Sequence, residues 1–146
     1  MNLFDSMGIT SSALRSQRTR MNVIANNVAN VETTNIGDGT PFVRKMTRFE
    51  PRVESDFDAL FKAVRGEPLD TQGVEVTAIV ADRTPGRNMY DPSHPDADED
   101  GFVAMPNVDI LREVTDMMSA SRSYEANVTV FNSLKAMVGV SLEIGR

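Results

Sequence analysis

Near the start of the chain, apolar residues recur at seven-residue intervals: Met7, Leu14, Met21 and Val28. A second set, Gln17, Ile24 and Val31, lies three residues further along. This is the a/d pattern of a narrow coiled-coil seam, not the wider apolar stripe of a globular surface helix. It predicts a helix from about Asp5 to Val31, roughly 40 Å long at ~1.5 Å per residue. The pattern at the other end of the chain is stronger. Pro106 blocks a helix upstream, Asn107 is the expected N-cap, and Asp109 suits the positive end of the helix dipole. From there Ile110, Met117, Tyr124, Phe131 and Val138 form a d line, and Val114, Ser121, Val128, Lys135 and Leu142 an a line. Leu111, Met118, Leu134 and Met137 add another apolar line, so this helix is expected to meet more than one neighbour. Lys135 is the anomaly, because a cation inside a seam weakens it unless it sets register or lies at an exposed end.

Between these segments Gly37, Gly39 and Pro41 end the first helix. Phe42–Glu50 reads as a strand, and Gly73–Ala81 alternates well enough to be the clearest one. Residues 56–64, with Phe57, Leu60, Phe61 and Val64, suit a short amphipathic helix. Residues 84–106 hold four prolines and two glycines and read as loop. The expected fold is α+β: long N- and C-terminal helices pairing as a coiled coil, with a small β-rich middle insert. The expected segments are 1–36 (N-terminal helix), 37–106 (insert with an acidic, Pro-rich loop) and 107–146 (C-terminal helix). Chain termini are usually the least ordered part of a domain. Here they hold the most regular apolar pattern, so they are expected to order on assembly.

Composition sharpens this picture. The 146 residues include no Cys and no Trp, but nine Met, which suit surfaces that must fit several neighbours. Without Cys there is no disulfide, thiolate metal site or cysteine nucleophile. No apolar run has signal-peptide or membrane-helix length, so any export is expected to use a route other than a cleaved signal. The net charge of −6 is carried almost wholly by residues 67–106, with two basic against nine acidic side chains. That excludes a basic groove for nucleic acid and suggests a solvated outer surface.

The sharpest local signal is Arg20-Met21-Asn22-Val23-Ile24-Ala25-Asn26-Asn27-Val28-Ala29-Asn30. Asn is a mediocre helix former, yet Asn22, Asn26 and Asn30 recur every four residues, off the seam, with Asn27 beside them. Either this is an Asn-rich, fraying helix end, or the amides meet partners and fix register, since a slip would strand their donors and acceptors.

The segment resembles the Ala-Asn-Asn-x-x-Asn signature of the axial proteins of the bacterial flagellum, which comprise rod, hook and hook-associated proteins. Leu111 to Asn127 looks like the C-terminal counterpart. With Tyr90-Asp91-Pro92-Ser93-His94-Pro95 and Asp100-Gly101-Phe102-Val103, the resemblance runs from about residue 3 to Arg146, loosely over 50–85. Where hook-type members have a Thr-x-Gly-Tyr turn, this chain has Thr33-Thr34-Asn35-Ile36-Gly37-Asp38-Gly39, taken as a proximal-rod variant. The resemblance implies a structural subunit of the basal-body rod. It implies export by the flagellar type III apparatus, and assembly with itself and other rod proteins (such as FlgB, FlgF, FlgG and FliE) into a periplasm-spanning tube that transmits torque. Neither nucleic acid nor membrane insertion is expected. The candidate assembly residues are Leu14, Met21, Ile24, Asn26, Asn27, Val28 and Asn30 on the first helix. On the second they are Met117, Tyr124, Asn127, Val128, Phe131 and Val138.

Signs of chemistry are weak. Asp96-Ala97-Asp98-Glu99-Asp100-Gly101 opens like a calcium loop, but position 12 is Asn107 where a bidentate Glu is needed, and Pro92 and Pro95 forbid an entering helix. An exposed acidic turn with Gly at its tight position is the simpler reading. His94, the sole His, has no orienting partner in the sequence. Arg44, Lys45 and Arg48 form a small basic strand face, either solvated or facing the acidic region of an adjacent subunit. No catalytic group, cofactor or metal is expected. Two other readings stay open at this point: a cytoplasmic coiled-coil adaptor or export chaperone, and a calcium-responsive binding protein.

Overall fold

A computed structural model describes residues 3–53, 61, 64–65 and 71–144. Among the described residues two long helices, α1 (Leu3–Ala29) and α2 (Ile110–Ile144), flank four strands: β1 (Lys45–Val53), β2 (Thr71–Ala81), β3 (Asn88–Tyr90) and β4 (Phe102–Ala104). The fold is α+β, as the apolar pattern predicts. β1 pairs with β2 in one sheet and β3 with β4 in another. Asp82 N–H donates to Arg44 C=O at 2.8 Å, joining the start of β1 to the end of β2. β3 and β4 are antiparallel, with Met89 opposite Val103. The predicted helix over 56–64 lies outside the described residues, apart from Phe61 and Val64, which are helical.

Several boundaries differ from expectation for identifiable reasons. α1 stops at Ala29 because Asn30 turns its amide back onto the Asn26 carbonyl, Nδ2 to O 2.8 Å. Asn35 Oδ1 then accepts from the amides of Gly37 and Gly39, whose positive φ values of 104° and 80° suit glycine. The N-cap of α2 is Asp109, not Asn107: its Oδ1 accepts from Leu111 N–H at 2.9 Å. Asn107 instead links two strands, its Oδ1 accepting from Arg44 N–H and its Nδ2 donating to Asp82 C=O, each at 2.8 Å. Residues 84–106 are not wholly loop, since β3 and β4 form a short hairpin there despite the prolines. Those prolines fall outside the two three-residue strands, where no ladder N–H is needed.

The chain divides into two compact units. One draws on Met1–Thr19, Arg48–Ala78 and Ala120–Arg146, and the other on Arg20–Thr47 and Ile79–Ser119. In the second unit α1 and α2 run side by side in opposite directions: Arg20 meets Asp116, and Asn27 meets Glu113. Among the described residues no helix is long and apolar enough to cross a membrane.

Candidate assembly interface

On α1 the buried side chains include Ser12, Ser16, Val23, Ile24 and Asn27. At 3.6 residues per turn, positions 12, 16, 23 and 27 fall within a sector of about 60°. This face is largely polar, and it works by gripping strand backbone. In the first unit Ser12 Oγ accepts from Val74 N–H, and Ser16 Oγ donates to Val74 C=O, both at 3.1 Å. In the second unit Asn27 Oδ1 accepts from Lys45 N–H at 2.9 Å, and its Nδ2 donates to Lys45 C=O at 2.8 Å. Each clamp satisfies both backbone groups of one strand residue, as a neighbouring strand would.

The two clamps are secured differently. The hydroxyl clamp needs α1 and β2 very close together. A Cβ on Gly73 would strike Ser12 Oγ and approach the Ile9 Cα within 3.3 Å, and Gly73 has a φ of 111°. The amide clamp is held by charge. Asn27 Nδ2 also donates to Glu113 Oε2 at 2.9 Å, and Glu113 Oε1 accepts from Arg44 Nε at 2.7 Å. Asn27 and Glu113 are wholly buried, and Arg44 nearly so. Arg44 also faces Asp82 and Asp116, each at 3.7 Å. A buried carboxylate is tolerable only when paired and hydrogen-bonded in this way. Arg44 is therefore not part of a solvated strand face; it is the internal counter-ion of Glu113. Lys45 and Arg48 do remain exposed.

The seam of α2 also departs from expectation, by one residue on one line. Met117, Tyr124, Phe131 and Val138 are half-buried, as the d line requires, but Ile110 is exposed. The companion line is Glu113, Ala120, Asn127 and Leu134, of which Glu113, Ala120 and Leu134 are buried. The expected line one position later is more open, with Val114, Lys135 and Leu142 exposed. Lys135 thus ceases to be anomalous. The sequence misled because Glu113 looks like a solvent-facing charge, while its counter-ion lies far away in the chain.

The candidate residues of α1 occupy three environments. Leu14, Met21, Val28 and Asn30 are half-buried, Ile24 and Asn27 are buried, and Asn26 is exposed. On α2, Asn127 and Val128 are half-buried, and Asn127 Nδ2 donates to Ser123 C=O at 2.8 Å. Of these candidates, Asn27 is the one seen joining α1 to α2. The other groups making that junction, Arg20, Arg44, Glu113 and Asp116, escaped sequence reasoning. A hydroxyl pair four residues apart, in line with Val23 and Asn27, was the available signal for the α1 face.

The acidic turn is used internally. Asp96 accepts from Thr34 Oγ1 at 2.7 Å and Asn35 Nδ2 at 3.2 Å, and those two bonds hold its carboxyl below the usual carboxylate range. Asp98 Oδ1 accepts from the amides of Asp100 and Phe102, and Gly101 takes a positive φ of 78°. His94 Nδ1 accepts from Asp96 N–H at 3.1 Å, a turn contact. Among the described residues no three His, Asp or Glu side chains gather as a metal site would require.

Residues 7–35 match the family described as "Flagella basal body rod protein", and residues 99–144 match "Flagellar basal body rod FlgEFG protein C-terminal". The chain is 41% identical to the flagellar basal-body rod protein FlgC of Bacillus subtilis, with 100% of both chains covered. It belongs to the FlgC family. The FlgC proteins of Borreliella burgdorferi (42% identity, 99% of this chain and 98% of the relative) and Salmonella typhimurium (38%, 100% and 98%) are similar throughout. FlgC membership makes the chain a structural protein of the flagellar basal-body rod. The region matched at the N-terminus contains Ser12, Ser16 and Asn27, and that at the C-terminus contains Glu113, so both family segments supply clamp residues.

Proposed function

We propose that this FlgC-family chain serves as a mechanical subunit, not a catalyst, whose two helices co-assemble with neighbouring rod subunits. The neighbours are copies of itself and other rod proteins, and the product is a helical tube across the periplasm that carries torque from motor to hook. The type III export apparatus would deliver it, with helix ends that order as neighbours arrive. One observation carries the reading: α2 leaves an apolar face open. Leu111 is 75% exposed, Val114 43% and Met118 53%, and the three lie within about 60° of one another at 3.6 residues per turn. A chain that keeps such a face in water is built to have it covered. The half-buried seam residues Leu14, Met21 and Val28 on α1, with Tyr124, Val128, Phe131 and Val138 on α2, would complete their burial there. Ile24, Met117, Asn26, Asn30 and Asn127 would adjoin them, while Asn27 would set the geometry from within. Each such side chain fully buried is worth about 1.5–3 kcal/mol, against about 1–2 kcal/mol for each backbone residue ordered. Neighbours therefore decide whether the ends are ordered.

Replacing Met118 with Glu tests this. The purified variant should keep its helicity, while the subunit disappears from isolated basal bodies and swarming stops. Complete, rotating filaments in a strain deleted for the gene would sink the reading.

A further inference from the structure

Near its C-terminal end α2 carries a face that the chain itself does not use. Lys135, Ala136, Gly139, Leu142 and Glu143 are all exposed, Leu142 to 70%. At 3.6 residues per turn they fall within a sector of about 120° centred on Gly139. The side chains of Lys135 and Glu143 have no ion pair or hydrogen bond among the described residues. Being eight positions apart, about 12 Å along the axis, they are too distant to satisfy each other. Gly139 lies inside the helix, where glycine is costly. A Cβ there would meet nothing within 4 Å, so no contact within the chain calls for its missing side chain.

The two sides of this face complement each other. With Gly139 in the middle, Lys135 and Leu142 lie on one side, and Ala136 and Glu143 on the other, each by about 40–60°. A second α2 laid on the face in the same direction presents its two sides reversed. Displaced by one heptad, about 10 Å, it sets its Leu142 against Ala136 and its Glu143 against Lys135. Large then meets small, and opposite charges meet. Its Gly139 falls over the exposed Asn132, where the missing side chain leaves room for the backbones to approach. An α2 laid in the opposite direction across Gly139 would set Leu142 against Lys135 and Glu143 against Ala136. Neither size nor charge matches in that arrangement.

We propose that this end of α2 packs in parallel on the α2 of a second copy, one heptad out of step, with Lys135 paired to that copy's Glu143. The proposal rests on the assembly reading above and names one contact within it. The stagger makes the contact heterologous: each added copy leaves one Lys135 and one Glu143 open, and the array propagates. A lysine on such a seam sets register at some cost in strength.

The chain has no Cys, so introduced thiols are the only ones it carries. Basal bodies are isolated from cells whose sole copy carries Lys135→Cys with Glu143→Cys, and treated with bis-maleimidoethane. That reagent is shorter than the separation of the two positions within one helix, about 12 Å. The expected result is a ladder of dimers and higher multimers of this chain, with only monomer from either single variant. In a second measurement, Ala136→Leu should at least halve swarm diameter while the helicity of the free chain is unchanged. Adding Leu142→Ala should recover at least half of that loss. A double-cysteine subunit that is present in basal bodies yet stays monomeric overturns the contact and leaves the rod reading standing. Dimers that never extend into a ladder, which mark a closed antiparallel pair, overturn it too, as do cross-links only to another protein. No loss from Ala136→Leu, or a loss without recovery, does the same. A wild-type subunit absent from basal bodies overturns both.

Discussion

In the first unit Ser12 and Ser16 hold the N–H and C=O of Val74; in the second, Asn27 holds those of Lys45 and hands its remaining donor to Glu113. The same task is done by short neutral groups in one place and by a longer amide backed by buried charge in the other. Hydroxyls have little reach, so the first clamp depends on close approach and a residue without a side chain, Gly73. The amide reaches further, but its partner Glu113 must then be neutralised by Arg44. The first clamp should therefore fail by crowding, and the second by losing charge balance.

The largest effect is expected from Glu113→Ala. It leaves Arg44 buried without its nearest carboxylate and strips Asn27 of one acceptor, a loss of about 3–5 kcal/mol. Equilibrium urea denaturation of the purified chain measures it. Arg44→Met combined with Glu113→Leu should recover most of the loss, because a well-packed apolar pair of similar volume removes both charges. If Glu113→Ala cost under about 1 kcal/mol, the pair would not be the support of this clamp.

Asn27→Ala should come next, at about 2–4 kcal/mol, since it strands the N–H and C=O of Lys45 together. Asn27→Asp should be no better, because a carboxylate cannot donate to Lys45 C=O and would face Glu113. Native-state hydrogen exchange at Lys45 supplies the local readout. Protection unchanged in both variants would mean that the strand is held by something else.

The contrast between the clamps also explains what was legible in the sequence. The helices, the α+β class and the clearest strand follow from periods of 3.5 and 2, which are local. Met117, Tyr124, Phe131 and Val138 are half-buried, as an apolar line at heptad spacing predicts, although Ile110 at the head of that line is exposed. Glu113 is not legible in that way, because its burial depends on Arg44, sixty-nine positions earlier. Val114 looked like the better seam residue on hydrophobicity alone, yet it is exposed. The Asn cluster was visible, but which amide turns inward was not. Asn27 lies off the line of Asn22, Asn26 and Asn30, and only the position of the Lys45 strand selects it. Pairings between distant residues that offset each other's cost leave little trace in local pattern.

Gly73→Ala probes the hydroxyl clamp and should cost about 1–3 kcal/mol, from crowding against Ser12 and Ile9 and from its positive φ. Adding Ser12→Ala removes the nearest obstacle and leaves the backbone strain. The double variant should therefore lose less than the sum of the two single losses, a coupling that denaturation midpoints can resolve. Strict additivity would mean that Ser12 and Gly73 are not in contact.

Acid separates the two units last and most gently. Bonds from Thr84 hold the Asp82 carboxyl below its ordinary value, with Arg44 adding to them, and bonds from Thr34 and Asn35 do the same for Asp96. A carboxylate whose folded pKa is depressed contributes stability above its unfolded value, and that contribution is lost as pH falls through the folded one. Below the ordinary carboxylate range the second unit should thus lose its Asp82 and Asp96 ties, while the hydroxyls on Val74 have no proton to gain there. Both carboxylates are solvent-accessible, so the effect is small, and salt should reduce the share due to Arg44. Amide protection at Lys45 should fall at a higher pH than protection at Val74. Asp82→Asn with Asp96→Asn should narrow that gap by removing the titrating groups. Loss of protection at one common pH in the wild-type chain would show that the charged clamp is no more acid-sensitive than the neutral one, and the physical distinction between them would collapse.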